Sequence, residues 1–144
     1  MNMKKFTVLM LSASLIIGAV LAFGCAVEEI ETSTQRIEDV TAQEAFTLIQ
    51  DNQNNPDFVI IDVRTPEEYA KGHIENAVNI DYSSENFQDE IDKLDRSKTY
   101  LIHCQSGRRS AGALNIMKEL NFTTIYHIYG GMLEWTSEEL PTVE

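Results

Sequence analysis

Two rhythms of apolar positions alternate from Arg36 onward: short unbroken runs, and longer stretches where apolar side chains return every three or four residues. The second rhythm marks helices with one buried stripe; the first, bounded by turn residues, marks strands covered on both faces. Thr41-x-x-Glu44 is a capping-box signature, and Ala45, Phe46, Leu48 and Ile49 follow it on one helical face. "DNQNNPD" breaks that helix, and "FVIIDV" predicts a short buried strand. Thr65 caps a second helix, with Pro66 in its first turn and Gly72 ending it. "AVNI" predicts another strand, and Phe87, Ile91 and Leu94 fall at i, i+4 and i+7 of a third helix. "TYLIH" predicts a strand, Ser110 to about Leu120 a helix, "TTIYHI" a strand, and a last short helix carries Trp135. This alternation predicts an α/β domain, a mainly parallel central sheet with helices on both faces. In such folds ligands bind at the carboxyl ends of the strands. Cys104, Asp62 and Arg64 all fall at such ends.

The first residues follow neither rhythm. "MNMKKF" supplies Lys4 and Lys5, and "TVLMLSASLIIGAVLAFG" then runs apolar up to Cys25. A basic start, an apolar core and a small residue before the break mark an export signal. "LAFGC" resembles the lipobox of bacterial lipoproteins, with Ala22 at the usual leucine position and Leu21 one place earlier. That resemblance implies lipidation of Cys25 and a domain tethered to a membrane, facing the periplasm or the cell exterior. "AVEEIETSTQ" is polar, acidic and free of aromatics, as a flexible tether would be. The 144 residues therefore divide into a signal peptide at 1–24, a tether at 25–35 and one domain at 36–144.

The formal net charge is −12, and removal of residues 1–24 would leave nine Lys and Arg against 23 Asp and Glu, or −14. Such a surface repels polyanions and argues against nucleic acid as a partner. With Cys25 lipidated, Cys104 is the one thiol of the mature chain. An exported protein commonly pairs its cysteines, so an unpaired one is either an inert core residue or a working thiol. The histidines and cysteines are scattered at spacings that suit no metal site.

The choice is settled by "HCQSGRRSAG", His103 to Gly112. Cys104 sits where a strand gives way to a helix, followed at once by Gly107, Arg108 and Arg109. Only a thiolate is a strong nucleophile, and a helix N-terminus, inward-turned amides and two guanidinium groups all favour an anion on sulfur. Two arginines at a helix start are electrostatically wrong for the helix itself, so an anion is expected there. His103 precedes the nucleophile on a strand, should face the other way, and is a poor candidate base.

These residues resemble the rhodanese-like sulfurtransferases over about Arg36 to the end. "DVRTPEEYAKGHIENAVNI" is similar to the family's first signature, with Asn76 where glycine is usual. "CQSGRRS" is similar to its active-site loop. "GGMLEWTSEELP" is similar to its closing signature, with Glu139 where glycine is frequent. The resemblance implies that Cys104 takes the outer sulfur of thiosulfate or another sulfane-sulfur donor, holds it as a persulfide, and passes it to cyanide or a thiol. No cofactor beyond that covalent sulfur is implied. Gln105, Ser106, Gly107, Arg108 and Arg109 would cradle the donor, with the two arginines on its sulfonate. Asp62 and Arg64 are candidates for a supporting role, and Arg64 is expected to pair with Glu68, tying strand to helix. His73 and Trp135 read as structural.

Two other readings remain at this level. A rhodanese-like module can carry sulfur to, or dock on, a partner without turnover. Phosphatases and arsenate reductases of the same fold place an arginine six residues after the cysteine; here that position is Ser110, and Arg109 comes at five. The shorter loop suits a sulfur atom better than a phosphate.

Overall fold

The fold is known from a computed structural model, which describes residues 34–144. The signal segment, Cys25 and nearly all of the tether lie outside the described residues.

Among the described residues, five strands form one entirely parallel sheet: β1 (Arg36–Val40), β2 (Phe58–Asp62), β3 (Val78–Asn79), β4 (Thr99–His103) and β5 (Thr124–Ile128). Their order across the sheet is β1-β5-β4-β2-β3. The connecting helices are α1 (Ala42–Asp51), α2 (Pro66–Ala70), α3 (Phe87–Asp92), α4 (Arg108–Glu119) and α5 (Gly131–Ser137). The expected α/β sheet is therefore present. Its strand β1 was not foreseen: three of the five residues of "RIEDV" are charged, and on an edge strand they stay in water while Val40 alone is buried.

Strand alternation sorts the core into two layers. Ile61, Tyr100, Ile102 and Ile125 pack with α3 and α4 through Phe87, Ile91, Ala113, Leu114 and Met117. Ile60, Leu101, Tyr126 and Ile128 face the other way, onto Ala42 and Ala45 of α1 and Met132 and Trp135 of α5. Each fully buried side chain of this size contributes about 1.5–3 kcal/mol relative to exposure. Cys104 belongs to the first layer.

Local signals fixed the helix starts. Thr41 and Glu44 exchange both hydrogen bonds of a capping box on α1, and Thr65 and Glu68 do so on α2. Helix α4 begins at Arg108, two residues before the expected start, so both arginines of the loop are helical. Asn76 and Glu139, the two departures from the glycines of the resembled signatures, lie at φ 65° and 54°. That left-handed backbone explains why glycine is favoured there, since a Cβ is crowded in it.

Candidate active site

Parallel β4 ends at His103, and the chain turns through Cys104–Gly107 into α4. The turn depends on Gly107, which holds φ 83° as the helix N-cap. A Cβ there would overlap the carbonyl of Tyr129, so no other residue fits the turn. From behind, α5 braces the loop: the Met132 and Leu133 amides donate to the carbonyls of Cys104 (2.9 Å) and Gln105 (3.0 Å). Gly131 lets this approach occur, because a Cβ on it would lie 2.5 Å from the Cys104 carbonyl oxygen.

Cys104 is 1% exposed, at the floor of the loop. Burial alone would push its thiol upward. The Ser110 hydroxyl at 3.4 Å and the amides of Ser110, Ser106 and Arg109 outweigh that, and the thiol lies below its ordinary range. The positive charge of Arg109 also acts on the sulfur. Ser110 thus joins the stretch Gln105–Arg109 expected from the sequence. Two of the converging amides belong to the first turn of α4, where they have no partners within the helix and carry the positive end of its dipole. The group this arrangement stabilises best is an anion on sulfur.

The arginine partners differ from expectation. Arg64 does not pair with Glu68. Its Nε contacts both Asp62 carboxylate oxygens (3.0 and 2.9 Å), and its Nη2 donates to Asp62 Oδ2 and to the Gly72 carbonyl, each at 2.7 Å. The pair is sealed, and it touches the loop only through a 3.5 Å contact from Nη1 to Gln105 Oε1. Glu68 instead clasps Arg109 with two bonds of 2.7 Å while keeping its capping bond to the Thr65 amide. Arg109 is the main cause that holds the Glu68 carboxyl down at about 2. An Arg64 on the chain segment next to α2 looks like the obvious mate for Glu68. The bidentate fork of Arg64 is already filled two residues away, because Arg64 folds back along the end of β2. Arg108 is exposed.

Asp62 and His103 are paired in register on the face away from Cys104. His103 Nε2 lies 3.8 Å from Asp62 Oδ2, and neither ring nitrogen makes a hydrogen bond. Burial holds His103 down at about 4, against the pull of Asp62, so the ring is neutral. His73 accepts its structural reading: it stacks on Tyr69 at 3.7 Å, and its Nδ1 is 3.0 Å from the Tyr69 carbonyl.

Three residues near the sulfur escaped the sequence reading: Glu68 as the mate of Arg109, and the pair His127 and Asp39. His127 Nε2 is 2.9 Å from Ser110 Oγ, and its Nδ1 is 2.8 Å from Asp39 Oδ1. No spacing signal could have joined them, since 88 residues separate Asp39 from His127.

A cavity of about 180 Å³ opens beside the loop, lined by residues that include Arg64, Glu68, Lys71 and Gln105. A larger one of about 650 Å³, bordered by Phe46, Phe58, Trp135 and Val143, involves none of the loop residues.

The Rhodanese-like domain family matches residues 29–138. Among curated proteins, the chain is 37% identical over 82 residues to the putative sulfurtransferase YtwF of Bacillus subtilis, covering 57% of this chain and 77% of that one. It is 35% identical over 82 residues to the probable adenylyltransferase/sulfurtransferase MoeZ of Mycobacterium tuberculosis, spanning 57% of this chain and only 21% of that larger protein. Among solved structures, a rhodanese-related protein from Thermoplasma volcanium superposes with a TM-score of 0.61 at 28% identity, over 74% of this chain and 97% of that one.

Proposed function

This chain belongs to the rhodanese-like domain family, and on that premise we propose that it is a sulfurtransferase working through a Cys104 persulfide. The convergence of the Ser110 hydroxyl and the amides of Ser106, Arg109 and Ser110 on one sulfur carries the reading. Such a cradle stabilises a thiolate before reaction and the terminal sulfur of a persulfide after it. Sulfurtransferase names among the relatives support the class.

In the first half-reaction the Cys104 thiolate attacks the outer sulfur of thiosulfate. A new S–S bond forms, the donor's own S–S bond breaks, and its electron pair leaves on sulfite. In the second, a thiol or cyanide attacks the terminal sulfur, and the Cys104 thiolate is released. Covalent catalysis in two halves implies ping-pong kinetics. Arg108, exposed at the start of α4, receives the sulfonate. Arg109 holds the loop through Glu68 and shares its charge with the sulfur. Because Cys104 is only 1% exposed at the floor of its loop, a small donor fits better than a bulky one.

Thiosulfate alone, removal of excess donor and an intact mass measure the first half directly. The expected result is one added sulfur, absent in Cys104→Ser and discharged by cyanide as thiocyanate. A folded protein that gains no sulfur from any sulfane donor would sink the enzyme and leave a binding module. We propose separately that Cys25, after a signal peptide at residues 1–24, is lipidated and tethers the domain to the outer side of a membrane, as the lipobox resemblance implies. Incorporation of labelled fatty acid, lost in Cys25→Ser, tests that separately.

A further inference from the structure

We propose that Asp39, His127 and Ser110 are positioning residues that steer one hydroxyl hydrogen, so that the charge state of His127 decides whether the Cys104 sulfur keeps its hydrogen bond. The inference rests on Cys104 as the reactive sulfur. It concerns how that sulfur is tuned, not which donor it meets.

Ser110 Oγ is fully buried and has one hydrogen to give. Three groups compete for it: Cys104 Sγ at 3.4 Å, the Gly107 carbonyl at 3.0 Å and His127 Nε2 at 2.9 Å. Thiolate and carbonyl can only accept. The imidazole nitrogen can do either, and Asp39 decides which. Its carboxylate, 2.8 Å from Nδ1, only accepts, so Nδ1 carries a proton in both charge states of the ring. In the neutral ring Nε2 is therefore bare and takes the Ser110 hydrogen. In the imidazolium Nε2 donates to Ser110 Oγ, and the hydroxyl turns to its other acceptors. Of these a thiolate is charged and forms the stronger bond. Coupling of this kind is reciprocal: an anion on Cys104 must favour the imidazolium as much as the imidazolium favours the anion.

The line runs from solvent to sulfur across separate elements. The Asp39 side chain is 67% exposed on β1, His127 on β5 is 6% exposed, Ser110 lies on α4 and Cys104 on the loop after β4. Other charges around His127 are turned away or occupied. Arg36 and Glu38 of β1 pair with each other at 2.9 Å, one residue out of phase with Asp39. On α4, Arg109 is clasped by Glu68, Arg108 is exposed, and Lys118 and Glu119 lie at the far end. His103 of β4 faces the opposite layer against Asp62, and Glu44 of α1, also in that layer, is held in its capping box.

The test is a pH titration of the Cys104 thiolate by ultraviolet absorbance, taken as the difference between the full chain and its Cys104→Ser variant. Asp39→Asn separates the relay from plain electrostatics by sign. Removing a negative charge near a thiolate should lower the thiol midpoint. Through the relay it should raise it, by roughly half a unit to one unit, because the imidazolium loses its counter-charge. Ser110→Ala should raise the midpoint by roughly a unit, and Ser110→Thr, which keeps the hydroxyl, should restore it. The imidazole NMR titration of His127, assigned by its loss in His127→Asn, should shift to lower pH in Cys104→Ser. An unchanged or lowered thiol midpoint in Asp39→Asn overturns the proposal, as does a His127 titration indifferent to Cys104. Neither readout needs a sulfur donor, so failure of thiosulfate to load the protein leaves this test intact.

Discussion

Two arginine–carboxylate pairs flank the Cys104 loop, and they differ in their access to water. Arg64 and Asp62 are sealed, with side-chain exposures of 5% and 0%, while Arg109 and Glu68 retain 24% and 31%. The sealed pair joins neighbours on one strand end and adds the Gly72 carbonyl, so every strong contact serves the architecture beneath the loop. The open pair joins α2 to the first turn of α4 and brings a positive charge to bear on the sulfur. Burial has already stripped the first pair of water, and breaking it leaves a bare charge inside. The second can be traded against solvent or an incoming anion at modest cost. One pair is a brace, the other belongs to the site.

The largest expected effect breaks the brace. Asp62→Ala leaves the Arg64 charge buried without its counter-ion and should cost about 3–5 kcal/mol. Glu68→Ala should cost about 1 kcal/mol, as partly exposed pairs do. Chemical denaturation of both variants checks this, and equal losses would erase the distinction. Next comes Arg109→Ala, which should slow sulfur loading by about 10²-fold, the size of one lost oxyanion-type donor, with a stability loss of only about 1 kcal/mol. Stopped-flow measurement of sulfite release separates rate from folding.

Acid sharpens the comparison through its pH windows. His103, beside the sealed pair, has its folded value depressed from 6.5 to about 4. The unfolded ring binds a proton first as pH falls, so stability is lost between those values and levels off below about 4. The loss should reach about 2–3 kcal/mol and vanish in His103→Leu. Glu68, in the open pair, is depressed from 4.5 to about 2. Its contribution is present above 4.5 and fades as pH falls toward 2, by about 1 kcal/mol after allowance for solvent screening. The two regions should therefore weaken in successive windows, the sealed one first. Melting temperature followed from neutral to acid pH would show it; a single loss confined below 4 would contradict it.

The smallest effects lie outside both pairs. Asn76→Gly and Glu139→Gly each relieve a side chain from left-handed backbone and should each add about 0.5–1 kcal/mol. A loss in either variant would mean that the replaced side chain holds the turn by contacts of its own.

What could be read from the chain alone shares a length scale. Capping boxes at Thr41–Glu44 and Thr65–Glu68 close over three residues, and the Cys104–Ser110 loop closes over six. Within such spans, backbone stereochemistry and a few side chains leave little choice, so the α/β pattern, the helix starts and the loop around Cys104 were legible. Arg64 broke the pattern at short range too. Pairing it with Glu68 treated proximity in sequence as geometry, and the direction of the chain leaving β2 decided otherwise. Strand β1 was hidden because its charged residues show no core pattern until β5 lies beside it.

The remaining features belong to tertiary structure. Glu68 meets Arg109 across 41 residues, and Asp39 meets His127 across 88. Parallel strands cannot be joined by tight turns, so each must pair across a crossover, with neighbours set by sheet order and register. The sequence by itself specified a thiol at a helix start and the amides that turn toward it. Which carboxylate holds which arginine, and which histidine stands behind Ser110, were decided when the order β1-β5-β4-β2-β3 closed.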